Sequence, residues 1–197
     1  GTNDSSASGS YSTAVGYEAS ATAQGALAMG YGAQANGVNS ISIGTGNVVN
    51  ATGAGAIGDP SIVDGTNSYS VGNNNAISST ASNSFVFGGK NSLGGTAVRD
   101  ANGVIDNTQP ITVVGSAQNS VVLGNQNTVQ VDNTMVMGNN VTATVGNSVY
   151  LGAGAAATGV ATAQSAGTTA YNSATVGGAT YNYAGGTPAG AVTVGSV

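Results

Sequence analysis

Short segments of alternating residues recur along the chain, and most of them end on a glycine. Ser40-Ile41-Ser42-Ile43-Gly44 and Ser120-Val121-Val122-Leu123-Gly124 show the theme, in which two large apolar residues enclose an uncharged one. Over the regular stretches the glycines lie 14 residues apart, at Gly16, Gly30, Gly44, Gly58 and Gly72 and again at Gly124, Gly138 and Gly152. A fixed period over most of a sequence indicates stacked, similar units. The pattern therefore predicts an all-β solenoid built from 14-residue coils.

Each coil is predicted to contain two short strands and two turns. After the glycine comes a polar turn such as Asn73-Asn74-Asn75 or Asn125-Gln126-Asn127. Asparagine and glycine tolerate the left-handed backbone that such turns require. A second strand follows, and its residue five positions after the glycine is always apolar, as in Val49, Val63 and Ile77.

The first strand carries large apolar residues on one side and small or uncharged ones on the other, because side chains alternate along a strand. A coil of two strands is thin, so we expect the small residues, such as Ala28 and Ser42, to fill it; the opposite assignment stays open. The large residues then form an outer stripe and are the predicted trimer interface: Ile41, Ile43, Phe85, Phe87, Val121, Leu123, Met135 and Met137. A soluble monomer does not tolerate so much exposed apolar surface, so we expect other copies in a closed ring to cover it.

The period breaks twice, which divides the chain into four parts. Gly88 and Gly124 lie 36 residues apart, where two coils would take 28, and both bases of the chain, Lys90 and Arg99, fall in this interval. Insertions in solenoids form loops on one face. We assign coils to 1–89, an insert to 90–115, further coils to 116–152 and longer closing strands to 153–197.

Charge and hydropathy exclude two classes of function. The net charge is −5, with two basic residues in 197, whereas nucleic-acid binding depends on clustered lysine and arginine. No apolar run approaches the ~20 residues of a spanning helix, and no signal peptide begins the chain. We expect a soluble fragment, with any membrane anchor in regions outside it.

The chain lacks several residue types on which catalytic mechanisms commonly depend. The chain has no histidine, cysteine or tryptophan, so a Ser-His-Asp or Cys-His pair cannot form. Calcium-binding rolls carry aspartate in each turn, whereas these turns carry asparagine. We therefore expect no enzyme activity, no metal and no cofactor.

The tyrosines form a candidate group of their own. Tyr17 and Tyr31 each follow a coil glycine directly. Since equivalent positions of successive coils stack, the two rings are predicted to form a ladder on one edge. Such a ladder stabilises the roll or contacts a ligand, because amphipathic aromatic rings suit binding surfaces.

The repeat Ser-Val-x-Leu-Gly-Asn-x-Asn-x-Val at 120–129 closely resembles the head of trimeric autotransporter adhesins, the YadA-like family of Gram-negative bacteria. Ala56-Ile57-Gly58-Asp59-Pro60 and the closing Gly190-Ala191-Val192-Thr193-Val194-Gly195 are similar to the same family. The resemblance implies a left-handed parallel β-roll, a homotrimer, and a neck and stalk beyond the closing segment. It also implies display at the cell surface, anchored in the outer membrane by a C-terminal part outside this sequence.

The leading functional hypothesis is therefore a non-catalytic adhesin head that binds matrix proteins, host cells or surfaces, with a role in virulence. An ice-binding β-solenoid is one alternative, although threonines are scattered rather than arranged in ranks; a carbohydrate-active solenoid enzyme is another. The insert residues Lys90, Arg99, Asp100 and Asp106, with Tyr17 and Tyr31, are candidate contacts to a ligand or to a neighbouring subunit.

Overall fold

The computed structural model describes residues 4–156, 173–176, 178–182 and 192–194, and in these ranges it contains strands and no helix. One strand of each coil belongs to a ten-stranded parallel sheet, the first-strand sheet: β2 (Thr13–Val15), β4 (Leu27–Met29), β6 (Ile41–Gly44), β8 (Gly55–Asp59), β10 (Tyr69–Asn73), β12 (Phe85–Phe87), β16 (Val121–Leu123), β18 (Met135–Met137), β20 (Val149–Leu151) and β23 (Val192–Val194). The other strand belongs to a nine-stranded second-strand sheet: β1 (Ser6–Ala7), β3 (Ser20–Ala21), β5 (Gln34–Ala35), β7 (Val48–Val49), β9 (Ile62–Val63), β11 (Ala76–Ile77), β13 (Ser92–Leu93), β17 (Thr128–Val129) and β19 (Thr142–Ala143). The predicted parallel solenoid is confirmed.

The register of both sheets follows the sequence period. Leu27 pairs with Ile41 in the first-strand sheet, and Gln34 pairs with Val48 in the second-strand sheet, in each case 14 residues on. Equivalent residues of successive coils therefore lie in columns along the stack. The predicted left-handed turns are also present, since Asn74, Gln126 and Asn140 all have φ near 58–59°.

The small residues of the first strands fill the interior, which settles the choice that the sequence left open. Ala28, Ser42, Val86, Val122 and Val136 have no exposed surface. They pack against the inward residues of the second strands, which are also buried: Ala21, Ala35, Val49, Val63, Ile77, Leu93, Val129 and Ala143. Tyr150 is the large exception in this column; it is fully buried, and its hydroxyl bonds the backbone of Val145.

A column of buried asparagines runs through one turn of the coils. The sequence suggested that these residues only form the turn, but the third residue after the coil glycine points inward. Asn91 donates its backbone N–H and Nδ2 to Oδ1 of Asn75, both at 3.0 Å, and Asn127 donates in the same way to Oδ1 of Asn91. The Nδ2 atoms of Asn75, Asn91 and Asn127 also donate to a glycine carbonyl at 2.8 Å. This ladder satisfies backbone groups that the tight turn would leave unpaired.

The coil glycines occupy positions that no other residue fits. Gly124 has φ of +138°, and a Cβ there would lie 1.8 Å from the carbonyl oxygen of Gly138 in the next coil. Gly30 is equally confined, with the carbonyl of Gly44 at 2.1 Å. The glycine column therefore follows from close backbone approach as well as from the left-handed side of φ space.

The interval between Gly88 and Gly124 makes one coil, not two. β12 pairs directly with β16, and β13 pairs directly with β17, so no further coil intervenes. Because β13 (Ser92–Leu93) still belongs to the second-strand sheet, the chain leaves the coil after Leu93, later than the predicted start at Lys90. It then forms an antiparallel pair, β14 (Gly95–Thr96) with β15 (Thr112–Val113), and a bridge between Arg99 and Ile105.

Beyond Leu151 the described residues form three further features. Ala156 makes a parallel bridge with Thr142. β21 (Ser173–Val176) and β22 (Ala179–Asn182) pair as an antiparallel hairpin. β23 returns to the stack and pairs in parallel with β20. In the predicted closing segment, 153–197, residues 157–172, 177, 183–191 and 195–197 lie outside the described residues.

Candidate functional site

The outer side of the first-strand sheet is a continuous apolar surface, which we call the apolar face. It consists of the residues on either side of each buried one, and it contains the whole predicted stripe: Ile41, Ile43, Phe85, Phe87, Val121, Leu123, Met135 and Met137. Phe87 is 56% exposed and Met137 47%, whereas Ile41, Ile43 and Val121 are half-buried by their neighbours. These residues form two adjacent columns along the stack. Together the columns make a contiguous apolar area, whereas the apolar residues on an ordinary protein surface are scattered singly.

The apolar face contains one glycine, Gly55, and the ring of Tyr69 in the next coil covers it. Gly55 occupies a position that carries a large side chain in most coils, and Tyr69 pairs directly with it in the next coil. A Cβ on Gly55 would lie 2.6 Å from Cε1 of Tyr69, so the tyrosine ring covers the glycine. The face therefore stays closed at this point, as expected when an aromatic ring shields a strand glycine.

The predicted tyrosine ladder is present. The rings of Tyr17 and Tyr31 stack with centroids 5.2 Å apart and planes within 1° of parallel. Tyr17 is 46% exposed and Tyr31 58%. The two rings lie at the turn that follows the first strand, at the border of the apolar face.

The insert folds back over the outside of its own chain. Ile105 and Ile111 pack with Ile62 and Ala76, which are outward residues of the second-strand sheet. Asn107 donates Nδ2 to the carbonyl of Gly46 at 2.6 Å, three coils away from the point where the insert leaves the stack. Since the two sheets enclose the core between them, the insert and the apolar face lie on opposite sides of the roll.

The two bases of the chain are directed to backbone carbonyls. Arg99 donates Nη1 to the carbonyl of Asn74 at 2.8 Å and to that of Gly103 at 3.2 Å, and Lys90 donates Nζ to the carbonyl of Asn102 at 2.8 Å. Burial of the Arg99 guanidinium lowers its pKa. Arg99 therefore fastens the insert to its own roll.

The two acids of the insert shape its turns. Asp100 accepts backbone N–H bonds from Asn102 and Val104, and the bond from Val104 is the main cause that lowers the pKa of this carboxyl. Asp106 accepts from the N–H and the hydroxyl of Thr108. Both carboxylates thus serve local turns of the type that aspartate favours.

The sequence carries a signal for the position of the insert in the outward residues of the second strands. The outward residue of the second strand is polar in the uncovered coils, as in Ser20, Gln34, Thr128 and Thr142. In the three coils before the one that carries the insert it is apolar, at Val48, Ile62 and Ala76, whereas Ser92 stands at this position in the coil that the insert leaves. An apolar residue that interrupts a polar outward column therefore indicates that something covers those coils.

Three features of the described residues bear on metal binding, on ordered threonine ranks and on membrane spanning. They contain no group of three or more histidine, cysteine, aspartate or glutamate side chains that could hold a metal ion. The outward second-strand column is mixed, with serine, glutamine, valine and threonine, rather than a rank of threonines. In the part of the chain that the structure describes, no helix has the length and apolar character to cross a membrane.

The fold and surfaces define a parallel β-solenoid with one apolar outer face. Residues 3–19, 7–33, 21–47 and 116–140 match the YadA head domain repeat, on both sides of the insert. Over these residues the chain is similar to that repeat, which supports a YadA-like head domain of a trimeric autotransporter adhesin. No curated protein matches the chain.

Proposed function

We propose that this domain is the head of a bacterial surface adhesin, which binds a matrix protein, a host cell or a solid surface without catalysis. The match to the YadA head repeat is the observation that supports it. The protein would be displayed on a Gram-negative cell and held in the outer membrane by a part outside this sequence. A role in virulence is part of the same proposal.

The apolar face supports a homotrimer as the working assembly. Its columns hold exposed apolar residues from Val15 to Met137, and their chemistry resembles a core more than a solvated surface. In a closed ring of three copies each face would be covered by the others. The proposal therefore places the apolar face at the trimer axis and the polar second-strand sheet on the outside.

The assembly is tested by a charge placed on each side of the roll. Ile43→Asp and Met137→Asp put a carboxylate into the proposed interface, where it would lose water without gaining a partner. We expect both variants to dissociate or unfold in sedimentation equilibrium. Thr142→Asp is the matched control, because Thr142 is exposed on the second-strand sheet. A stable folded monomer of the unmodified chain at micromolar concentration would contradict the trimer.

The insert is the proposed ligand contact, since it lies opposite the apolar face and stays outside in the trimer. Its bonds to Asn74 and Gly46 hold it as a rigid platform, and rigidly supported loops commonly carry recognition. Two valines of the platform point to solvent, Val98 at 52% exposed and Val104 at 39%. They supply apolar contact area beside the carboxylate of Asp100.

A solid-phase panel of collagen, fibronectin, laminin, bacterial cells and plastic tests the adhesin proposal. We expect the double variant Val98→Ser with Val104→Ser to bind less tightly to whichever panel member binds the unmodified trimer. Val38→Ser is the matched control, because Val38 is 39% exposed on a turn away from the insert. If the unmodified trimer binds no member of the panel, the adhesin function is contradicted. If the double variant binds as well as the unmodified protein, only the role of the insert is contradicted.

A further inference from the structure

We propose that Tyr17 and Tyr31 form a site of oxidative modification, where a one-electron oxidant joins the two phenol rings as a dityrosine. The rings are parallel within 1°, their centroids are 5.2 Å apart, and both are about half exposed. They are therefore close to each other and open to a reagent at the same time. The inference is independent of the adhesin function.

The backbone holds this pair together. Each tyrosine follows a coil glycine, and the preceding strands, β2 and β4, pair in register. Adjacent strands of a sheet lie about 4.8 Å apart, so a radical formed on one ring finds the other ring as its nearest phenol. Both rings are about half exposed, so rotation about the side-chain bonds can bring ring carbons together.

The other tyrosines among residues 4–156 lack this arrangement. Tyr11 is 90% exposed but lies at the opposite turn of the coil, before β2 rather than after it. Tyr69 covers Gly55 on the apolar face, and Tyr150 is buried with its hydroxyl bonded to Val145. Within this range the stacked ring pair is Tyr17 with Tyr31.

The chemistry balances with a peroxide as oxidant and a haem peroxidase as catalyst. Each phenol loses one electron and one proton, which gives two phenoxyl radicals. The radicals couple through the ring carbons next to the hydroxyl-bearing carbon, and one carbon–carbon bond forms. The hydrogen on each coupled carbon then moves to oxygen and restores the phenol. The two electrons and two protons removed reduce one hydrogen peroxide to two waters.

The location gives the cross-link a consequence. The coils that it would join have a core of alanine alone, at Ala19, Ala21, Ala26, Ala28, Ala33 and Ala35. These buried side chains are smaller than the valines of the later coils, and hydrophobic stabilisation scales with the apolar area buried. A covalent bond between these coils would fasten a region where packing contributes less.

The test is oxidation of the folded protein with hydrogen peroxide and a haem peroxidase at low protein concentration. We expect mass spectrometry to find a peptide pair joined through Tyr17 and Tyr31, two hydrogens lighter than the separate peptides. Denaturing gels should show the monomer mass, because the bond lies within one chain. Joining mainly between chains, or through another tyrosine pair, would overturn the proposal.

Phenylalanine variants separate reactivity from stacking. Tyr17→Phe and Tyr31→Phe keep a ring in the ladder but remove the phenol, so each should abolish the product while circular dichroism stays unchanged. Tyr11→Phe removes an exposed phenol outside the pair and should leave the yield unchanged. A yield in Tyr17→Phe equal to that of the unmodified protein would refute the site.

Discussion

The roll contains two kinds of coil that share a backbone and differ in their interior. In residues 12–37, the alanine coils, every buried apolar residue is alanine, and alanine also stands where later coils bury serine or asparagine, at Ala26 and Ala33. In residues 84–145, the valine coils, the same columns hold Val86, Val122 and Val136 with the asparagine ladder beside them. One coil geometry therefore accepts either a thin apolar core or a larger one with buried polar columns.

The difference shows what sets the coil and what only strengthens it. Each buried valine in place of alanine removes about two more carbons from water, or roughly 1.5 kcal/mol. The alanine coils keep the same register without that contribution and add the stacked pair Tyr17 and Tyr31 on the outside. Backbone pairing and the glycine column are common to both regions, so they define the fold, while core size varies.

The largest expected effect concerns the feature that the two regions share. Gly30→Ala in the alanine coils and Gly124→Ala in the valine coils each push a Cβ into the next glycine carbonyl, at 2.1 Å and 1.8 Å. Both should cost about 4 kcal/mol or more, because the backbone of two coils must separate. Gly32→Ala is the control: its φ is +61°, but nothing lies within 4 Å of a Cβ there. The melting temperatures of the three variants measure the effect. If Gly30→Ala or Gly124→Ala melts like the unmodified protein, close backbone approach is not the reason that glycine is required at these positions.

The next effect tests the asparagine ladder, which the valine coils contain and the alanine coils lack. Asn91→Ala leaves the carbonyl of Gly124 and the backbone N–H of Asn127 without partners inside the roll, and it removes one of the two bonds that Nδ2 of Asn127 donates. Unsatisfied buried groups cost about 1–3 kcal/mol, so a clear loss of stability is expected in denaturant unfolding. Ala33→Ser, at the equivalent column in the alanine coils, is the comparison and should change stability less. If Asn91→Ala unfolds like the unmodified protein, the ladder is dispensable.

A smaller effect exchanges the two kinds of core. Val122→Ala should cost about 2 kcal/mol through lost burial and a residual cavity. Ala28→Val should also destabilise, by about 1–3 kcal/mol, if the alanine core is fully packed and cannot accept two more carbons. Urea unfolding measures both changes in the free energy of unfolding, and an unchanged dependence of that free energy on urea concentration would show that only stability has changed. A stabilising Ala28→Val would mean that the alanine coils contain spare volume.

Much of this architecture could be predicted from the sequence, because it depends on columns of equivalent residues. The strands, the small interior residues and the stacking of Tyr17 on Tyr31 all follow once the period is known. The path of the insert did not follow, because its contacts join residues far apart in sequence: Asn107 bonds to Gly46, 61 positions away. The role of Lys90 and Arg99 as contacts to a ligand or a neighbouring subunit stays a prediction, and within the single chain both side chains bond backbone carbonyls. Charge pattern alone does not show which way a long side chain turns.

The buried asparagines were missed for a different reason. Asn75 and Asn127 belong to turn sequences, where asparagine usually contributes a left-handed backbone. In the structure the residue before each, Asn74 or Gln126, takes that conformation, and the asparagine itself enters the core. The two roles differ by one position, which composition cannot distinguish but a fixed offset from the coil glycine can.

The smallest expected effect concerns a second, exposed polar column that extends from the alanine coils into the next ones. Thr22 donates to Asn36, Asn36 to Asn50, and Asn50 to Oδ1 of Asp64 at 2.7 Å. Burial raises the pKa of the Asp64 carboxyl, and the bond from Asn50 lowers it by less. The folded state therefore holds a proton on Asp64 more readily than the unfolded state does. The stability that this linkage contributes is present at acid pH and is lost as pH rises through the raised pKa.

Asp64→Asn removes that ionisation and keeps an acceptor for Asn50. At neutral pH we expect the variant to melt at the same temperature as the unmodified protein or slightly above it, by no more than about 2 °C, since the carboxyl is partly solvated. The difference should shrink below pH 3.8, the ordinary pKa of the group, where the unmodified protein carries the proton as well. Asp59→Asn, at an exposed position, makes the same change in net charge and separates the effect of burial from that of overall repulsion. A variant that melts lower at neutral pH would mean that the ionised carboxylate stabilises the end of this column.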